Sequence, residues 1–136
     1  MSFQKANKLL VDIIKCRLEL SQLAYNDPKY DEIEDRLHIL EDIFENDFGK
    51  TLKKVIQEVY EKYSSKEKVL SPISYIAREY YLVDQETYHC NAQQGILVKM
   101  PKLTDKPLRL AFLPNPLRLI VSLDENNQYE IWSSEE

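Results

Sequence analysis

The sequence predicts an α+β fold: an N-terminal antiparallel helical hairpin plus a third helical segment, packed on a C-terminal antiparallel β-sheet. Three observations carry this prediction. Apolar residues recur at helical spacing up to about residue 63; from about residue 70 that spacing is lost and Tyr, Val and Ile crowd together; and most prolines fall in the second half. Helices precede strands without alternating with them, which argues against a doubly wound parallel sheet. The 136 residues suit a single domain, with 1–63 as its helical part and 70–136 as its β-rich part.

The first helix is expected between Ser2 and Tyr25, where Leu9, Leu10, Ile13, Ile14, Leu18, Leu20 and Leu23 fall in helical rows without Pro or Gly. Asn26-Asp27-Pro28 then combines a capping acid with Pro at a first helical position, and Asp31 and Glu32 suit the positively polarised first turn. A second helix starting near Pro28 must fold back on the first, because the link is so short. Its apolar side carries Ile33, Leu37, Ile39, Leu40, Ile43 and Phe44, whereas Leu52, Val55, Ile56, Val59, Tyr60 and Tyr63 follow Gly49. At 100° per residue the two sets point roughly 140° apart. Either the helix breaks near Asp47-Phe48-Gly49 or its halves bury opposite sides against different partners, and the expectation is a break or kink. Beyond the polar connector Ser64–Lys68, strands are expected over Glu79–Val83, Thr87–Cys90, Gly95–Met100, Leu108–Leu113, Leu117–Leu123 and Gln128–Ser133. Asp124-Glu125-Asn126-Asn127 supplies residues that tolerate left-handed turns, so the last two strands read as a hairpin. Pro114 and Pro116 should mark a sheet edge or corner.

Composition narrows the function classes. The net charge of −5 disfavours a general nucleic-acid binder. Only Gly49 and Gly95 are glycine, so the glycine-rich nucleotide loops and the G-x-S-x-G elbow are excluded. No apolar run reaches the roughly 18 residues of a membrane span, and the N-terminal stretch lacks the pattern of a signal peptide. A cytoplasmic protein is expected. Cys16 and Cys90 are too few for a disulfide scaffold and lack zinc-ligand spacing.

The most organised polar feature is a stripe on the second helix, where Asp31, Glu34, Asp35, His38, Glu41, Asp42 and Glu45 share one face. It reads first as a solvated face and second as a docking surface for a basic partner. Glu34, His38 and Glu41 or Asp42 are also candidate ligands of a divalent metal, yet the helical E-x-x-H of diiron bundles has only the single counterpart Asp35-x-x-His38. No metal or other cofactor is therefore expected. Cys16 and His38 stand at similar height across the hairpin, but a thiol among leucines and isoleucines is a poor nucleophile. His89 and Cys90 are adjacent and would point to opposite sides of a strand. Tyr75, Tyr80, Tyr81 and Tyr88 cluster after the helices, where they suit a seam or an interface. Between Lys99 and Arg118, Lys99, Lys102, Lys106, Arg109 and Arg118 oppose only Asp105, without the stacking aromatics of a single-strand binder.

These readings favour a non-catalytic protein–protein interaction module over an enzyme, with a protein partner or a second copy of the chain meeting the acidic face (Glu34, His38, Glu41, Asp42, Glu45) and the tyrosine seam. The alternative is a small enzyme or ligand-binding domain whose pocket between sheet and helices is lined by Tyr75, Arg78, Tyr80, Tyr88 and His89. No nucleophile, base and orienting group occur together, so no catalytic residue is assigned.

Overall fold

The computed structural model describes residues 3–135. Helix α1 spans Gln4–Ser21 and α2 spans Tyr30–Lys62. Between them the Asp27 carboxylate accepts the Lys29 N–H (2.8 Å) and the Asp27 carbonyl accepts the Tyr30 N–H (3.0 Å), so the turn opens α2 two residues after Pro28. Asp31 and Glu32 occupy the first turn of α2 and Lys62 the last, each opposite in sign to the local helix dipole.

The expected third helical segment does not exist as a separate helix. α2 runs unbroken for 33 residues through Asp47-Phe48-Gly49, and the only helical piece after it among the described residues is a 3₁₀ turn, Pro72–Tyr75. The reason lies in the buried row Phe44, Phe48, Leu52, Ile56, Tyr60, which advances by four residues at each step. Four residues overshoot one turn by about 40°, so the buried stripe winds round a continuous rod. At its start Phe44 meets Phe112 of the sheet, and at its end the Tyr60 and Tyr75 hydroxyls meet at 2.7 Å beside the 3₁₀ turn. Gly49 is buried, and a Cβ there would come within 3.0 Å of Glu45 Oε1. The glycine thus makes room for a carboxylate and does not end the helix. Ile39 and Ile43, expected on the buried side, are 59% and 38% exposed.

All six expected strands form, the first three shorter than expected and the last three within one residue of their expected bounds, but in two sheets. β1 (Tyr81–Leu82) and β2 (Tyr88–His89) make a small antiparallel ribbon. β3 (Ile96–Val98), β4 (Leu108–Leu113), β5 (Arg118–Asp124) and β6 (Asn127–Ser133) form an antiparallel meander in the order β3-β4-β5-β6. The β5–β6 hairpin closes differently from expectation. Among the described non-glycine residues only Ser64 and Asn115 have left-handed φ, whereas Asp124 holds the turn by accepting the Asn126 N–H (2.8 Å) and the Asn127 side-chain amide (2.9 Å). Pro114 and Pro116 lie in the tight β4–β5 connection, where Asn115 joins the Asn7 side chain of α1 through two hydrogen bonds of 2.7 and 3.0 Å.

Leu110 and Phe112 of β4 and their cross-strand partners Val121 and Leu119 of β5 share one side of the sheet. That side meets the helices: the Phe112 ring lies edge-on to Phe44 and to Tyr75, each at 6.5 Å, and Trp132 of β6 is edge-on to Phe3 at 5.4 Å. The opposite side is also covered. Ala111, Ile120 and Ser122 are buried there, and the Gln128 amide donates both to Ser122 Oγ (3.0 Å) and to the Cys90 carbonyl (3.1 Å), bringing the segment around Cys90 onto the sheet. One apolar cluster runs from Leu10 and Ile14 through Phe44, Leu52 and Ile56 to Leu110, Phe112 and Val121. No described helix is long and apolar enough to cross a membrane.

Candidate functional site

The acidic face of α2 is divided by the way the helix packs. Asp31, Asp35, His38 and Asp42 are exposed, while Glu34, Glu41 and Glu45 are partly covered. Glu41 is an internal tie: its carboxylate accepts from Arg17 of α1 at 2.8 Å, and the same guanidinium donates to the Ala77 carbonyl at 2.7 Å. One Arg therefore joins α1, α2 and the chain after the 3₁₀ turn. Glu45 turns toward Gly49, with Oε2 buried and unpartnered among the described residues. Among those residues no three His, Cys, Asp or Glu side chains form a group able to hold a metal ion.

The tyrosine seam is buried, which corrects the picture of it as a presented surface. Tyr75, Tyr80 and Tyr88 are 0%, 5% and 6% exposed, and only Tyr81 of the group stands out, at 48%. Tyr75 shares its hydroxyl with Tyr60 and accepts the Leu70 N–H (3.1 Å). Tyr80 accepts the Ala77 N–H (2.9 Å) and donates to the Phe112 carbonyl (2.8 Å), pinning the 3₁₀ exit to β4. Burial pushes the Tyr80 hydroxyl well above the ordinary tyrosine range, and burial with the Tyr75 hydrogen bond does the same to Tyr60. These tyrosines act as hydrogen-bonded core. His89 stacks on Tyr81 (5.8 Å between ring centroids), and its Nδ1 lies 2.8 Å from the Cys90 backbone N–H. Arg78 is exposed, and its backbone N–H donates to Gln94 Oε1 (2.9 Å). The structure thus separates Tyr75 and Tyr80 in the core from Arg78 and His89 nearer the surface.

Neither cysteine is available as a nucleophile. Cys16 and Cys90 are buried free thiols; desolvation raises both, and with the Glu125 charge nearby Cys90 is pushed up to about 12. A pH prediction follows from the sign. The folded chain holds this proton more tightly than the unfolded one, so the stability linked to Cys90 is complete below the ordinary thiol value of 9.0 and is lost as pH rises through about 12. Urea unfolding of native chain and Cys90→Ala between these limits should show the steeper fall in the native chain. Parallel curves would refute the assignment.

A feature the sequence reading missed lies on the outer face of the hairpin. Half-buried Leu9 of α1, and Ile43 and Phe48 of α2, floor a groove of about 370 Å³ between the helices. Lys5 and Lys8 rise from α1 and Asp47 from α2, giving the two walls opposite charge. The available signal was angular: Ile43 lies about 100° from Phe44 around the helix, so both cannot face the same neighbour squarely. No family model, curated protein or solved structure matches the chain.

Proposed function

We propose that this chain is a non-catalytic protein-interaction module whose partner is a second copy of itself, joined through the outer groove between α1 and α2. The observation that carries the reading is the pairing of an apolar floor, half-open at Ile43 and Leu9, with walls of opposite charge. Such a surface can be self-complementary, as a two-fold dimer requires. Two hairpins packed face to face admit two simple arrangements. A two-fold axis across the helices stacks α1 on α1 and sets lysine against lysine. An axis parallel to the helices sets α1 of each copy over α2 of the other at the same height, so Lys5, with Lys8 beside its Asp12 partner, faces Asp47 twice over. Charge selects the second, a four-helix layer with Leu9, Ile43 and Phe48 at its centre.

The internal use of the tyrosines supports this reading over a tyrosine-lined catalytic pocket, since the hydroxyls of Tyr75 and Tyr80 are spent on the fold. Light scattering across a concentration series is expected to show a monomer–dimer equilibrium. Ile43→Glu should weaken it at least tenfold by placing a carboxylate in the apolar floor, with little change in unfolding because the side chain is 38% exposed. A native chain that stays monomeric throughout, or a variant that associates as the native chain does, would refute the proposal.

A further inference from the structure

Next to β4, at the end of its pairing with β3, segments distant in sequence enclose a second cavity, of about 410 Å³. Ser74, Ile76 and Arg78 form one side; Gln94, Gly95 and Arg109 form the other. No Asp or Glu lines it, so in a chain of net charge −5 two arginines border one space without an acid among them. Neither arginine belongs to the ion pairs of the described residues, which are Lys8–Asp12 and Arg17–Glu41.

The surroundings hold these groups as donors. Arg109 is half-buried on β4 and gives one N–H to the Gly95 carbonyl at 3.0 Å, which fixes the guanidinium and leaves its other N–H groups to offer. Gln94 Oε1 accepts the backbone N–H groups of Arg78 (2.9 Å) and Glu79 (3.3 Å), so its side-chain amide retains only donors. The Ser74 hydroxyl is a further donor, and Ile76 supplies an apolar wall. Guanidinium pairs match the geometry of carboxylate and phosphate oxygens, and the volume falls in the range of small-molecule sites.

We infer that this cavity binds a small oxyanion, a phosphate monoester or a carboxylate, held between Arg78 and Arg109. The site is independent of the helix groove. Isothermal titration of the full chain with inorganic phosphate, phenyl phosphate and succinate, each against sodium chloride at equal ionic strength, tests it. Saturable binding of at least one of the three is expected, with a Kd of about 1 mM or tighter. Arg78→Gln should weaken that binding at least tenfold, and it is the deciding variant because the side chain is exposed and makes no hydrogen bond among the described residues. Arg109→Gln should weaken it similarly, while Lys102→Gln, outside the cavity, should leave it unchanged. Preference for the phosphates or for succinate identifies the anion class, and either supports the inference. Failure of all three to saturate, a chloride effect of equal size, or full binding by Arg78→Gln would overturn it.

Discussion

Phe112→Ala is expected to remove about 4 kcal/mol of stability, the upper part of the range for truncating a buried aromatic. The ring is fully buried and meets Phe44 of α2 and Tyr75 of the 3₁₀ turn edge-on, so one side chain closes the joint between helix, turn and sheet. Its backbone is equally engaged: the carbonyl accepts from Tyr80, and Ile76 forms a parallel β-bridge with Phe112. Tyr75 and Tyr80 are held at their hydroxyl ends, so neither swings in to fill the void. A domain of this size holds about 5 to 15 kcal/mol in total, so the variant should sit near the edge of folding. Urea unfolding monitored by circular dichroism measures the loss, and one below about 1 kcal/mol would contradict this packing.

Gly95→Ala is expected to cost about 3 kcal/mol, for two reasons that add. Gly95 has φ +95°, a conformation that side chains rarely adopt, and a Cβ there would lie 2.4 Å from the Leu110 carbonyl and 2.9 Å from the Ala111 Cβ. The conflict is with the backbone of the adjoining strand, so the chain before β3 must lift away from β4. Because the Gly95 carbonyl holds Arg109, the same displacement should loosen the oxyanion cavity. Unfolding and phosphate titration on the same sample check both effects. Native stability in this variant would show that the close approach at Gly95 does not exist.

The strands were legible because their signals are local. Val, Ile and Tyr runs bounded by Pro, Asn and Asp placed six strands, and the Asp124–Asn127 turn was found although it closes by side-chain acceptance and not by left-handed backbone. Of the two readings of the second helix, the favoured break at Asp47-Phe48-Gly49 fails and the unbroken rod burying different sides along its length holds. An i, i+4 row precesses, and α2 uses that drift to carry its buried stripe from Phe112 of the sheet to the 3₁₀ turn. The tyrosine cluster was visible as composition, but whether a hydroxyl points at solvent or at a backbone carbonyl depends on partners such as Phe112, 32 residues away from Tyr80. Distance in sequence also hid the oxyanion cavity. Arg78 stood out alone, and nothing local connects it with Arg109, which joins it only after β3 and β4 pair. Glu41 illustrates the reverse, since a residue that looked like part of a docking face spends its charge on Arg17 inside the molecule.

Self-pairing through oppositely charged walls is tested most directly by exchanging the charges. Lys5→Glu with Lys8→Glu makes both walls acidic, and Asp47→Lys makes both basic, so each variant alone should repel its own copy and scatter light as a monomer. Mixed in equal amounts, the acidic α1 of one variant meets the basic α2 of the other on one side, its acidic α2 meets the other's basic α1 on the opposite side, and a dimer should return. A mixture that stays monomeric, or variants that dimerise separately as the native chain does, would contradict it.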